Sequence, residues 1–156
     1  MHIEQRGTGP ALVMIHGWAM HCEIFSPLVS LLEKQFTCFL VDLPGHGRSI
    51  ADHSTLDIAV IAKDISERIP AAIWCGWSLG GLVALHAAKH HTINGLIMLC
   101  ASPRFVKADH WSYGMNASVF TGFADDLKKD YRGTLDRFIS LEAQGFKTGA
   151  NLHWNL

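Results

Sequence analysis

Residues 73–85 read IWCGWSLGGLVAL and decide the fold of this chain. The run at 72–75 is continuously apolar, which is typical of a strand buried on both faces of a sheet. Apolar residues at helical spacing begin at Leu79, with almost no intervening loop. Between the two lies Ser78, flanked by glycines in the pattern G-x-S-x-G. The stretch therefore predicts a sharp strand-to-helix turn with a serine at its tip.

The same alternation extends to both sides of this stretch. Further apolar runs predict strands at 11–15, 37–41 and 96–99. Residues at helical spacing lie between them, at 24–32 and 58–69. Strand–helix–strand repetition implies parallel crossover connections and helices on both faces of the sheet. We therefore predict an α/β fold with a doubly wound, mostly parallel sheet.

The pattern changes after residue 103. No buried strand is evident beyond about Phe105, and helices are predicted at roughly 115–129 and 134–144. We expect residues 1–103 to form an α/β unit that contains the turn at Ser78, and residues 104–156 to be mainly helical.

Composition excludes several classes of protein. The 156 residues are 49% hydrophobic and 17% charged, with 13 Lys and Arg against 14 Asp and Glu, so the chain is neither disordered nor suited to nucleic acid or an anionic membrane. No apolar run is long enough to span a bilayer, and the first residues lack the apolar core of a signal peptide. Four separated cysteines show no metal-ligand spacing. We expect a cytoplasmic protein with reduced thiols, monomeric at full length, and without a cofactor or metal.

Ser78 is the candidate nucleophile. A serine at such a turn is held at strained backbone angles that cost about 1–3 kcal/mol, and its hydroxyl is raised above the edge of the sheet. The N-terminus of the following helix favours negative charge that develops there. A glycine-rich turn with an incidental serine is the alternative interpretation.

A second loop is expected at the same edge of the sheet. His16, Gly17 and Trp18 follow the strand predicted at 11–15. In serine hydrolases with this turn, one oxyanion N–H belongs to the residue after the serine and another to a loop after an earlier strand. We therefore predict an oxyanion hole made by the backbone N–H groups of Trp18 and Leu79, with His16 bracing the loop. A plain turn at the end of a strand is the alternative.

A third motif, DLPGHGRS at residues 42–49, follows the strand predicted at 37–41. Together, in this order and spacing, the three motifs resemble the α/β-hydrolase family over residues of about 10–103. The resemblance implies that residues 1–103 are the N-terminal part of the hydrolase core and that residues 104–156 begin a helical cap, within which the chain ends. It also implies that DLPGHGRS has mainly a structural role, so neither Asp42 nor His46 is predicted to be catalytic.

A narrower resemblance, to the carboxylesterases of biotin synthesis within that family, extends to about residue 149. It rests on HGW at 16–18, VDLPGHGRS at 41–49, IWCGWSLGGLVAL at 73–85 and ASPRF at 101–105. It implies hydrolysis of the methyl ester of a pimeloyl chain carried on acyl carrier protein. The substrate-binding residues that it implies are Trp18, Ser78, Leu79, Phe138, Ile139, Ser140, Leu141 and Glu142.

Two features of the cap leave alternatives open. Phe138 and Leu141 fit helix packing as well as they fit an acyl pocket, because their spacing is helical. Arg132 and Arg137 would suit an acidic carrier protein, but acidic neighbours make a solvated face equally natural.

The chain departs from the family pattern in its triad. The family places Asp or Glu and then His beyond the cap, and no such acid or base is identified in these residues. His153 is a poor replacement base. Another serine esterase, lactonase, C–C hydrolase or acyltransferase therefore remains possible, as does an inactive domain that only binds an acyl ligand. Epoxide and haloalkane hydrolases are disfavoured because they carry Asp at the position of Ser78.

Overall fold

Five strands form one sheet in the order β1-β3-β2-β4-β5 in the computed structural model, which describes residues 1–144. The strands are β1 (His2–Gly7), β2 (Ala11–Ile15), β3 (Thr37–Asp42), β4 (Ile73–Trp77) and β5 (Gly95–Leu99). β1 is antiparallel to β3, and the other neighbouring pairs are parallel. The predicted α/β fold with a mostly parallel sheet is confirmed.

Helices occupy the connections between the strands and the region after them. They are α1 (Ser26–Leu32), α2 (Ile58–Arg68), α3 (Leu79–His90), α4 (Ala117–Lys129) and α5 (Tyr131–Glu142), with 3₁₀ helices at Cys22–Phe25 and Gly47–Ser49. The helix predicted at 24–32 is thus split between a 3₁₀ helix and α1. A proline in the first turn of α1 suits a helix start, because its missing N–H has no intrahelical partner there. No described helix is long and apolar enough to cross a membrane.

Two hydrophobic cores lie against opposite faces of the sheet. Val13 and Ile15 of β2 belong to the core that contains the buried residues of α2 and α3. Leu12 and Met14 belong to the other core, with Phe25 of the first 3₁₀ helix and Val29 of α1. Side chains alternate between the faces of a strand, so the continuously apolar run at 11–15 supplies both cores.

β1 is a strand that the sequence analysis missed. Its residues HIEQRG show neither a continuous apolar run nor a clear alternation, and it lies at the edge of the sheet. It pairs from His2 opposite Asp42 to Gly7 opposite Thr37. Pairing with a strand distant in sequence, rather than local pattern, makes this segment a strand.

β5 differs from its predicted environment. A strand covered on both faces was expected at 96–99, but Leu96 is 37% and Ile97 43% exposed. Among the described strands β5 pairs with β4 alone, so it forms the other edge of the sheet. Cys100, which follows it, is exposed, whereas Cys22, Cys38 and Cys75 are buried as small apolar side chains.

The chain divides into two compact units, one from Met1 to Phe105 and one that begins at Val106. The first contains the sheet and α1–α3. In the described part of the second, α4 and α5 pack together, with the rings of Phe123 and Phe138 5.7 Å apart. The functional division into a hydrolase core and a cap stays a prediction.

Candidate active site

Ser78 lies between the end of β4 and the start of α3. Its backbone angles, φ +52° and ψ −115°, fall in a region that a residue with a side chain rarely adopts. The Ser78 N–H donates to the carbonyl of Leu99 at 3.0 Å, and the Ser78 carbonyl accepts from the N–H of Gly81 at 2.9 Å. β5 and α3 therefore hold the strained turn that the G-x-S-x-G pattern predicts.

The two glycines of this turn are required by close backbone contacts. A Cβ on Gly76 would lie 2.1 Å from the carbonyl oxygen of Gly80. A Cβ on Gly80 would lie 2.2 Å from the carbonyl oxygen of Ile15, at the end of β2. Both distances are below any real carbon–oxygen contact, so only glycine allows α3 to start this close to β2 and β4.

The loop after β2, residues 16–21 and here called the β2 loop, lies beside Ser78. A Cβ on Gly17 would be 3.1 Å from the Cβ of Ser78 and 3.5 Å from the ring of Trp77. Trp18 follows, half-buried, and Ala19 adopts a φ of +63°. Leu79 is the first residue of α3, where N–H groups have no intrahelical acceptor. The two predicted oxyanion donors thus belong to segments that flank Ser78.

His16 is fully buried and braces the β2 loop. Its Nδ1 is 2.7 Å from the carbonyl oxygen of Gly17, and its Nε2 accepts from the N–H of Leu43 at 3.0 Å. Because a carbonyl oxygen can only accept, Nδ1 carries the proton and Nε2 the lone pair. Burial lowers the pKa of His16 to about 4, so the ring is neutral at pH 7.

Asp42 and His46 have backbone partners. Asp42 is buried and accepts from the N–H groups of Cys22 at 2.7 Å and Arg48 at 3.0 Å. Burial by itself raises the pKa of this carboxyl, but those hydrogen bonds outweigh it and the pKa is lowered. His46 Nε2 accepts from the N–H of Ala19 at 3.2 Å, and its Nδ1 lies 2.8 Å from the carbonyl oxygen of Pro44. These contacts fit a structural role for DLPGHGRS.

The link between His46 and Ala19 was not foreseen from the sequence. The two residues are 27 positions apart, and no local pattern connects them. The sequence does show that His46 lies between two glycines, which indicates a tight loop. In the structure both Gly45 and Gly47 have positive φ. A histidine between two such glycines sits on a tight loop whose side-chain direction is set by the backbone.

The five predicted cap residues, 138–142, all lie on α5 in the second unit and do not share one face of it. Phe138 and Ile139 are half-buried, and Phe138 contacts Phe123 of α4. Ser140 and Leu141 are exposed and line an open groove of ≈ 380 Å³, whose other lining residues are Asp136, Arg137 and Gln144. Glu142 is exposed. Arg137 pairs with Asp130 at 3.8 Å and donates to Thr134, as on a solvated face.

Neither His16 nor His46 is available as a base for Ser78. His16 and His46 both use their ring nitrogens on backbone groups, as described above. His153 lies outside the described residues.

Comparison with known proteins assigns the family. Residues 12–154 match the model of the alpha/beta hydrolase family. The chain belongs to this family. It is 49% identical over 146 residues to a pimeloyl-[acyl-carrier protein] methyl ester esterase of Stenotrophomonas maltophilia, covering 93% of the chain and 56% of that protein. A protein of the same name from Xylella fastidiosa is also 49% identical, with 93% and 57% covered.

The solved structure of an esterase agrees with the fold. The esterase EaEST from Exiguobacterium antarcticum superposes with a TM-score of 0.79 at 29% identity, over 88% of this chain and 55% of that one. The chain thus spans a little over half the length of each relative.

Proposed function

We propose that the protein is a serine carboxylesterase that hydrolyses the methyl ester of a pimeloyl chain carried on acyl carrier protein. The observation that carries the proposal is the strained turn at Ser78 with the β2 loop packed beside it. The relatives that bear this activity in their names are 49% identical to the chain over almost all of its length. Biotin synthesis in the cytoplasm is the setting that this substrate implies.

In this proposal Ser78 Oγ attacks the ester carbonyl. A base takes the hydroxyl proton, and the carbonyl oxygen becomes a tetrahedral oxyanion that the N–H groups of Trp18 and Leu79 stabilise. As this intermediate collapses, the base returns the proton to the leaving methoxide, so that methanol departs and an acyl-serine ester remains. The same base then takes a proton from water, which attacks the ester, and returns it to Ser78 Oγ as the carboxylic acid is released. The base and the acid that supports it are expected beyond the cap, as in the family pattern.

The surroundings of Ser78 favour a small alcohol group. Trp77 is next to the nucleophile in sequence, and its ring lies against Gly17 of the β2 loop. Trp18, also bulky, directly follows Gly17. We propose that both indoles border the ester site, where they would leave room for methanol more readily than for a large leaving group. The acyl chain is proposed to contact α5, where Phe138, Ile139 and Leu141 provide apolar surface.

Labelling with an alkyl fluorophosphonate tests the nucleophile in the full-length protein. We expect a single adduct on Ser78, and we expect Ser78→Ala to abolish both the adduct and methyl ester hydrolysis while the circular dichroism spectrum is unchanged. Ser30→Ala, a change at an exposed serine of α1, is the matched control and keeps full activity. Undiminished hydrolysis by Ser78→Ala would exclude the assignment.

The same experiment separates the esterase from an inactive acyl-binding domain. A binding domain would retain methyl pimeloyl-carrier protein without releasing methanol, and the fluorophosphonate would leave Ser78 unmodified. A lactonase or an acyltransferase would label at Ser78 but would turn over a lactone, or an acyl donor and acceptor, faster than the methyl ester.

A further inference from the structure

A hydrogen bond from the N–H of Met20 to the carbonyl oxygen of Gly17, at 3.3 Å, closes the turn in the β2 loop, and contacts with the loop after β3 restrain it further. Ala19 has a φ of +63°, which costs a residue with a Cβ about 1–2 kcal/mol in the left-handed region. This strained residue directly follows Trp18, whose N–H is a proposed oxyanion donor. Without a restraint, relaxation at Ala19 would turn the adjoining peptide and move the Trp18 N–H.

Two imidazoles supply that restraint in a reciprocal arrangement. His16 of the β2 loop accepts from the N–H of Leu43, in the loop after β3. His46 of the loop after β3 accepts from the N–H of Ala19, in the β2 loop. The two ring centroids are 5.3 Å apart. In each loop, an imidazole nitrogen therefore accepts a hydrogen bond from a backbone N–H of the other loop.

The orientation of His46 is itself determined. Its Nδ1 is 2.8 Å from the carbonyl oxygen of Pro44, so Nδ1 carries the proton and the lone pair of Nε2 faces Ala19. Asp42 also holds the loop that carries His46, because its carboxylate accepts a hydrogen bond from the N–H of Arg48. A Cβ on Gly47 would lie 2.5 Å from Oδ1 of Asp42, so the loop lies tightly over this carboxylate.

We propose that His46 is a positioning residue, which aims the Trp18 N–H by holding the peptide that follows it. The inference rests on the proposed esterase function. His46 touches neither substrate nor Ser78 in this role, and it acts through a lone pair rather than through proton transfer. An interaction that forms with the oxyanion, and only weakly with the ground-state ester, affects kcat more than KM.

A pair of variants in the full-length protein tests the role of His46. His46→Leu removes the acceptor, and His46→Gln keeps an acceptor near the position of Nε2. With a short-chain aryl ester, we expect His46→Leu to lower kcat about 10- to 100-fold with KM within about twofold, since displacing an oxyanion donor costs less than removing it. We expect His46→Gln to recover most of kcat. His53→Leu, at an exposed histidine, is the control and leaves both constants unchanged.

Hydrogen exchange reports on the restraint independently of activity. We expect the amide of Ala19 to exchange at least tenfold faster in His46→Leu than in the wild type, and at near wild-type rate in His46→Gln. Unchanged exchange at Ala19 would exclude the restraint. Faster exchange with unchanged kcat, or an equal loss of kcat in both variants, would exclude the positioning role. Activity that survives Ser78→Ala would instead exclude the esterase function, while the exchange result would still decide the restraint.

Discussion

At the scale of single residues, hydrogen bonds from the backbone decide which polar groups near Ser78 are available for chemistry. His16 and Asp42 are the two buried polar side chains at the ends of β2 and β3, and both accept from backbone N–H groups. A buried polar group without such a partner would cost about 1–3 kcal/mol. These two residues therefore shape the loops beside Ser78 through their contacts with the backbone.

The burial of His16 predicts a dependence of stability on pH. Its folded pKa of about 4 lies below the ordinary value of 6.5, so the unfolded chain binds a proton there more readily. The stability that the folded state gains from a neutral His16 is fully present above pH 6.5. As the pH falls from there towards 4, the free energy of unfolding decreases by about 3 kcal/mol. Urea unfolding between pH 7.5 and 4 measures this loss.

His16→Gln is expected to reduce stability at pH 7 and to flatten the profile between pH 6.5 and 4. His53→Gln, at an exposed histidine, is the matched control and keeps the wild-type slope. A wild-type slope in His16→Gln would show that other groups cause the loss at acid pH.

At the scale of elements, α3 and α5 differ in how much of their surface is buried. α3 packs closely against the sheet because small residues at its start, Gly80 and Gly81, allow contact with β2 and with Ala101. α5 buries only Thr134 and Leu135 and leaves the residues beyond Ile139 largely exposed. The half-buried ring of Phe138 on α5 could therefore serve the packing against α4 or contact a ligand.

The ring contact between Phe138 and Phe123 allows these two roles to be separated. We predict that Phe138→Ala lowers kcat/KM mainly for longer acyl esters and spares acetate esters, because each buried methylene contributes about 0.8 kcal/mol. Phe123→Ala, the matched control, removes the same ring contact from α4. The measurement is kcat/KM against acyl length for both variants. A parallel loss at every length in Phe138→Ala would show that this ring only supports the packing of the helices.

At the scale of the whole molecule, β5 is one edge of the sheet, and no strand among residues 1–144 pairs with its outer side. It pairs with β4 on one side, and Leu96 and Ile97 are partly exposed on its two faces. An apolar strand with an open edge pairs readily with another chain. In contrast, β1 at the opposite edge carries Glu4 and Arg6, which pair with each other. Arg6 also pairs with Glu23 and Glu4 with Arg48, which lie in the two 3₁₀ helices.

We predict that residues 1–156 produced alone self-associate through β5. Light scattering should show oligomers, and Ile97→Lys should shift the distribution towards the monomer because it places charge on the apolar edge strand. Leu31→Lys, at an exposed leucine of α1 away from this edge, is the control and leaves the distribution unchanged. A monodisperse wild-type monomer that unfolds cooperatively would contradict the prediction.

Local sequence determined the strands, helices and turns whose formation depends on residues close together in the chain. The apolar runs of β2, β3 and β4, the helix pattern of α2 and the G-x-S-x-G turn were all predicted, because burial on both faces and a strained turn each leave a short-range signature. The helices after residue 105 were predicted to within a few residues at their ends for the same reason.

Tertiary structure alone decided the features that join distant segments. β1 is a strand because β3 offers it a partner, and β5 is exposed because it lies at the edge of the described sheet rather than within it. The hydrogen bonds from Leu43 to His16 and from Ala19 to His46 each span 27 residues. Such contacts depend on which loops the parallel sheet brings to one edge, and a side chain carries no local sign of the backbone N–H that it will meet there.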